Sequence, residues 1–167
     1  EARQLLADTY TQLGYQAESG PWRNFYLTGA RDLFKKDVPY TSQLINDGVL
    51  AQMDMGTLLD YCAIQLNGKK AAGKEAVINI NFTDTKEKVM LMLNNEVLNH
   101  RLDSQDKKAD LTLEIAKMDF VKLFFGRTDL QTLLKTNKVR TTGNTKAMEV
   151  ICSAYEPADP NFKIVLP

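Results

Sequence analysis

The chain has 167 residues, with 21 basic and 21 acidic side chains, one histidine and two cysteines. A net charge of zero without any lysine or arginine block lacks the electrostatic footprint of a protein that binds nucleic acid or anionic membranes. No apolar run reaches the ~18 residues that a membrane-spanning helix needs, so we expect no transmembrane segment. The hydrophobic fraction of 44% and the charged fraction of 25% are typical of a globular protein.

The histidine and the cysteines are too few for a metal centre. A zinc site typically takes about three or four nitrogen, sulfur or carboxylate ligands, so we predict no metal site and no cofactor in this chain. Cys62 and Cys152 have apolar neighbours and are interpreted as small buried hydrophobes. His100 lies on the apolar side of a predicted strand and is interpreted as a structural residue.

Two helices are predicted at the amino-terminal end. Apolar residues recur at helical spacing from Leu5 to Leu13, and Gly14 predicts the end of the first helix. Pro21 is favoured in a first helical turn, and apolar spacing continues to Leu33. Because a hairpin of this size cannot bury two apolar faces, we expect it to belong to a larger helical domain or to an interface.

The rest of the chain is predicted to form a separate domain. Residues 37–47 show no sustained period and are predicted to be a linker between a helical segment, 1–36, and a second domain, 48–167. The second domain opens with one helix, which Asn67-Gly68 is predicted to end.

Alternating apolar and polar residues then predict strands, with Asp84 and Asn94-Asn95 in the turns of a meander. Four strands precede the next helix, and they cover residues 78–82, 89–93, 98–102 and 110–115.

Helices alternate with one more strand towards the end of the chain. Gly126 predicts the end of the first of these helices, and Thr128–Gln131 fits a capping box for the second. A short strand over 138–142 precedes a final helix, which Asn144 caps and which holds Tyr155. The element order predicts an α+β fold, with helices on one face of a largely antiparallel five-stranded sheet.

Methionine is placed unevenly, since all six methionines follow the predicted boundary. Flexible thioethers adapt to variable apolar guests, although ordinary core packing explains each methionine taken alone. Together with the neighbouring phenylalanines they favour an adaptable apolar cavity. Burying an alkyl chain of about ten carbons yields roughly 8 kcal/mol before the cost of association, so micromolar or weaker binding needs no charged group.

Several segments carry a family resemblance, and the string Trp22–Asn24 is a specific match. In the order in which they occur, they closely resemble the bacterial linear alkyl sulfatases of the metallo-β-lactamase superfamily, over essentially the whole chain. The segments are LLADTYTQLGYQAE (5–18), SGPWRNFYLTGARDL (19–33), LLDYCAIQLNGKKAAGK (58–74), INFTDT (80–85), VLNHR (97–101) and DPNFKIVLP (159–167).

The resemblance implies the carboxy-terminal part of a longer hydrolase. Residues 1–36 would end its dimerisation domain, and residues 48–167 would form a sterol-carrier-protein-like domain with a groove for the alkyl tail of a sulfate ester. Hydrolysis in that family uses a binuclear zinc centre in an amino-terminal catalytic domain, and no residue here matches its histidine-rich motifs. We therefore expect a catalytically inactive piece whose partners are the alkyl sulfate or another fatty chain, the catalytic domain and a second copy.

Candidate site residues follow from the resemblance and the apolar pattern. The expected interface residues on the hairpin are Trp22, Arg23, Phe25 and Tyr26, of which Arg23 fits a surface or capping role equally well. The expected tail contacts, each equally a core candidate, are Leu58, Tyr61, Cys62, Met90, Met92, Met118, Phe120, Phe124, Leu130 and Met148.

Two other functions fit the sequence: a structural or dimerising appendage with a filled core, and a free-standing lipid carrier. The compartment is not determined by the sequence, but the frequent export of similar enzymes favours a periplasmic or secreted parent protein.

Overall fold

The structure is a computed structural model that describes residues 1–34 and 46–157, which fall into two compact units at that gap. The predicted linker lies almost wholly outside the described residues. The first unit holds α1 (Ala2–Gln16) and α2 (Gly20–Phe34). The helices of the second unit are α3 (Asp47–Gln52), α4 (Met55–Ile64), α5 (Gly68–Ala71), α6 (Lys117–Phe124), α7 (Leu130–Lys135) and α8 (Lys146–Ser153). Its strands are β1 (Ala76–Phe82), β2 (Lys88–Asn94), β3 (Val97–Leu102), β4 (Leu111–Ile115) and β5 (Val139–Gly143).

Helix α1 passes through the residue that was predicted to end it. Gly14 is buried within the helix, and a Cβ atom there would lie 2.6 Å from Cδ2 of Leu27 on α2. The missing side chain therefore lets the two helices approach closely, and the prediction of a helix end at Gly14 was wrong.

The single helix predicted at the start of the second unit is two helices with separate caps. The Asn46 carboxamide oxygen accepts a bond from the Val49 N–H at the start of α3, and Asp54 does the same for Thr57 at the start of α4. Asn67, predicted to end the helix, instead caps α5. Short polar side chains favour the start of a helix for this reason.

Of the two later caps, one differs by one residue from the prediction. The side chain that caps α7 belongs to Asp129 rather than Thr128. Asn144 accepts a bond from the Lys146 N–H at the start of α8, as predicted, but α8 ends before Tyr155.

The five strands form one sheet in the order β3-β2-β1-β4-β5. Strands β1, β2 and β3 make the predicted antiparallel meander, and β4 pairs antiparallel with β5. Strand β4 lies beside β1 and runs parallel to it, with Ile80 opposite Leu113. The α+β class with a largely antiparallel sheet is confirmed.

The parallel pairing requires the chain to cross the sheet between β3 and β4. The crossover segment, residues 103–110, lies on the face opposite the helices. There Asp106 exchanges two hydrogen bonds with the Asn79 side chain, 2.8 and 2.9 Å long. These bonds satisfy a carboxamide that is only 6% exposed, as buried polar groups require.

Asp110 ends the crossover and joins three strands. Its N–H donates to the Val77 carbonyl, its carboxylate accepts from the Val77 N–H, and its carbonyl accepts from the Asn144 N–H. Gly143 lies against the same carbonyl, because a Cβ atom there would be 2.4 Å from the Asp110 oxygen.

The core fills the space between the other sheet face and the helices, and its largest fully buried side chains are Phe82 of β1 and Phe120 and Phe124 of α6. One buried cation borders it. Lys117 is 7% exposed, and its ammonium group donates to the carbonyls of Ala51 and Met53 at the end of α3. The backbone N–H of Lys117 donates to the Asp84 carboxylate, which takes the capping role that Ala116 cannot perform.

We expect Gly143→Ala to destabilise the second unit more than Gly73→Ala. Both glycines have positive φ, 108° and 69°, so each alanine carries a backbone cost of about 1–2 kcal/mol. Only the alanine at 143 meets backbone atoms, which should add about 1–3 kcal/mol. Urea unfolding of both variants measures the difference, and equal losses would contradict it.

The caps Asp54 and Asp129 predict a loss of stability in acid. The Thr57 hydroxyl lowers the pKa of Asp54, and the Thr132 N–H lowers that of Asp129. A carboxylate with a lowered folded-state pKa stabilises the protein above its unfolded-state pKa, and this contribution is lost as the pH falls through the folded value. We expect the free energy of unfolding to decline below about pH 4, and less steeply in the Asp54→Asn, Asp129→Asn double variant.

Candidate apolar ligand site

The structure separates the ten expected tail contacts into three groups. Eight of them belong to the core or pack against it. Six are buried core residues: Leu58, Cys62, Phe120, Phe124, Leu130 and Met148. Tyr61 and Met118 are partly buried at its edge, whereas Met90 and Met92 are outside it.

Met90 and Met92 lie on the opposite face of the sheet. Strand β2 directs Leu91 and its alternate neighbours into the core, so the methionines between them face away from the helices. Met90 is paired with Asn79, whose side chain bonds to the crossover segment. The ten residues therefore cannot line one cavity.

Six aromatic rings of the helix side form a continuous series of contacts. Phe82 contacts Phe120, and Phe120 contacts Phe124, with centroid distances of 5.6 and 6.1 Å. Phe124 contacts both Phe125 and Tyr155, at 5.3 and 5.9 Å. We name the partly buried end of this series the ring cluster, and it consists of Tyr61, Phe125 and Tyr155.

The ring cluster joins three helices at one place. The Phe125 ring lies 5.7 Å from the Tyr61 ring of α4 and 5.3 Å from the Tyr155 ring, which follows α8. All three side chains keep part of their surface in solvent. The series of rings thus leads from partly exposed side chains to the centre of the core.

Phe125 and Tyr155 are absent from the expected tail contacts, although Phe125 is one of the phenylalanines that favour an apolar cavity. Each lies just beyond the last residue of a helix, where a local period says nothing about the direction of the side chain. A signal was present in Gly126, because a glycine favours a left-handed helix end and therefore marks Phe125 as a terminal residue.

The end of α6 has the hydrogen bonds of a Schellman motif. The Arg127 N–H donates to the Lys122 carbonyl, the Gly126 N–H donates to the Leu123 carbonyl, and Gly126 has φ of 67°. This motif reverses the chain between Phe125 and Arg127. The predicted helix end at Gly126 is confirmed.

A positive charge lies beside the ring cluster. Arg127 forms an ion pair with Asp47, and their side chains are 46% and 54% exposed. Burial raises the pKa of the Tyr155 phenol, the nearby Tyr61 raises it further, and the Arg127 guanidinium opposes the rise. The charge of Arg127 therefore acts on the polar edge of the cluster.

The titratable core residues do not form a reactive centre. Burial raises the pKa of the Cys62 and Cys152 thiols to about 12, so both remain protonated and weakly nucleophilic at neutral pH. His100 faces Asp60, with 3.8 Å between Nδ1 and the carboxylate.

The first unit carries its own aromatic group on a more exposed surface. Trp22 is 58% exposed and stacks on Tyr26 at 5.9 Å, while Phe25 meets the edges of both rings. Arg23 donates to the Ala17 carbonyl, which is a local capping contact. Beside these rings lies a depression of about 380 Å³ lined by Leu13, Trp22, Tyr26 and residues 16–19.

Two other features are absent from residues 1–34 and 46–157. Those residues hold no group of three histidine, cysteine, aspartate or glutamate side chains that could bind a metal ion. In the same part of the chain, no helix combines the length and the apolar character that crossing a membrane requires.

Comparison with known proteins relates both units to alkyl sulfatases. Residues 43–167 match the alkyl sulfatase C-terminal family model, and residues 1–36 match the alkyl sulfatase dimerisation model. The linear primary-alkylsulfatase of Pseudomonas sp is 37% identical over 99% of this chain. The alkyl/aryl-sulfatase of Saccharomyces cerevisiae is 31% identical over 100% of it. The chain spans about a quarter of the length of these relatives.

A solved sulfatase structure agrees with this relationship. The stereoselective inverting sec-alkylsulfatase from Pseudomonas sp matches 98% of this chain, with a TM-score of 0.84 and 33% identity, and 26% of that protein is covered. Sterol carrier protein 2 from Yarrowia lipolytica also matches, with a TM-score of 0.39 and 22% identity over 73% of this chain. The chain therefore belongs to the alkyl sulfatase C-terminal family, with an amino-terminal segment of the alkyl sulfatase dimerisation type.

Proposed function

We propose that this chain binds the alkyl tail of a sulfate ester, as a non-catalytic part of a longer alkyl sulfatase. The observation that carries the proposal is the series of rings from the ring cluster to Phe124 and the core. The family supports the substrate class, since the relatives are alkylsulfatases by name.

The free energy gained by burying an apolar tail is sufficient for binding at this surface. Each methylene removed from water contributes about 0.8 kcal/mol, so binding requires contact area rather than a charged group. The rings of Tyr61, Phe125 and Tyr155 offer faces and edges at the border of the core, and the flexible Met118 packs against the same core. A tail could lie on the cluster without displacing Phe120, which is fully buried.

Catalysis would belong to another part of the longer protein. We propose that a zinc-dependent catalytic domain cleaves the ester there, as the resemblance to alkyl sulfatases implies. Binding the ester on this chain would raise its effective concentration near that domain.

Replacing one ring should weaken tail binding. We expect Phe125→Ala to raise the Kd for decyl sulfate about tenfold, because a buried aromatic contact is worth roughly 1.5 kcal/mol. Isothermal titration below the micelle concentration measures this change, and circular dichroism verifies the fold of each variant.

Ile64→Ala provides the matched control for that experiment. Ile64 is on α4, the helix that carries Tyr61, but it is 77% exposed and lies outside the core. Its variant should bind decyl sulfate as the parent chain does. If the parent chain shows no saturable binding, or if both variants lose affinity equally, the ring cluster is not the tail site.

The exposed hairpin supports a second role, which is self-association. Residues 1–36 match a dimerisation domain model, and Leu5, Tyr15 and Trp22 leave more than half of their surface in solvent. Large exposed apolar side chains on one element are a feature of interaction sites. We propose that α1 and α2 contribute to a homodimer interface in the longer protein.

Charges placed on this surface should reduce association of the chain. We expect the Leu5→Glu, Trp22→Glu double variant to sediment as a monomer at concentrations where the parent chain forms dimers. Gln12→Glu, on an exposed polar position of α1, should leave association unchanged. A parent chain that stays monomeric at all concentrations would assign the surface to other contacts of the longer protein.

A further inference from the structure

We infer that Arg127 recognises an anionic head group on an amphiphile whose chain lies against the ring cluster. The inference rests on the proposed tail binding and adds a charge preference to it. It assigns to this chain the recognition of an anionic single-chain amphiphile, not merely of an apolar chain.

The local backbone keeps Arg127 next to the cluster, and the positive charge of its guanidinium acts on the Tyr155 phenol. Phe125 and Arg127 are separated only by Gly126, and the Schellman hydrogen bonds from Gly126 and Arg127 fix the turn between them. An amphiphile has its charge at one end of its apolar chain, and here a cation lies at one end of an apolar surface. Tyr61 and Tyr155 add phenol groups, which can donate hydrogen bonds to an anion.

The guanidinium can take a second anion beside Asp47. A guanidinium has five N–H donors in a planar fork, and the contact with Asp47 is made through Nη1. Both side chains are about half exposed, so an approaching sulfate need not cross buried protein. Asp47 also opposes the sulfate by its own negative charge, which predicts opposite effects for substitutions of the two partners.

Two probes with the same ten-carbon chain separate the head group from the tail. Decyl sulfate carries a permanent negative charge, and decyl maltoside is neutral. We expect Arg127→Gln to raise the Kd for decyl sulfate about fivefold and to leave the Kd for decyl maltoside unchanged, since a half-exposed charge pair contributes at most about that factor. Asp47→Asn should lower the Kd for decyl sulfate only.

Controls keep a folding defect apart from a binding defect. Arg127→Lys retains the charge and should restore most of the affinity for decyl sulfate, whereas thermal unfolding shows whether each variant is folded. Raising the salt concentration should weaken the binding of decyl sulfate to the parent chain and have little effect on Arg127→Gln.

The outcomes distinguish the inference from the function on which it rests. Saturable binding of both probes with no response to Arg127→Gln would overturn the head-group assignment and keep the tail site. Equal weakening of both probes would assign Arg127 to the structure of the cluster and would also overturn it. Binding of neither probe would overturn the proposed function itself, and the head-group assignment with it.

Discussion

The parallel pairing of β1 with β4 is the constraint on which the rest of the second unit depends. Because β2 and β3 already occupy the other side of β1, the chain must cross the sheet before β4 begins. Asn79 and Asp106 attach this crossover to the outer face. Part of that face is thereby covered by polar chain, and the helices cover the opposite face. Under the proposed function, the surface for an apolar ligand lies where the helix layer ends.

Helix termini consequently decide the character of the site. The buried interior is occupied by Phe120 and Phe124, but the chain leaves the helix layer at Phe125 and Tyr155, where the rings are still partly exposed. The left-handed Gly126 then turns the next residue, Arg127, towards solvent. One short turn thus joins the partly exposed Phe125 ring to the charged Arg127.

Sequence reasoning succeeded where the physical signal is local. Alternation located the strands because one of their faces is buried, and the predicted caps located the starts of α7 and α8 to within one residue. The pairing of β1 with β4 could not be predicted, since alternation does not identify the partner of a strand.

The predicted grouping of the methionines failed for another reason. The alternation that puts Leu91 in the core also puts Met90 and Met92 on the other face of the sheet. The grouping rested on residue type, whereas the position along the strand separates these methionines from the core. Gly14 shows the same ambiguity, because a glycine both ends helices and permits close helix packing.

Under the proposed function, tail binding accelerates hydrolysis through KM and not through kcat. Contacts that hold the tail equally well in the ground state and in the transition state lower KM but do not raise kcat. A surface at the border of the core suits that role, because a modest affinity captures the ester and still lets the alkyl product leave. A charged residue beside the tail site, such as Arg127, would favour the anionic ester over the neutral alcohol that remains when sulfate is lost. Discrimination of this kind promotes product release, and a purely apolar groove could not provide it.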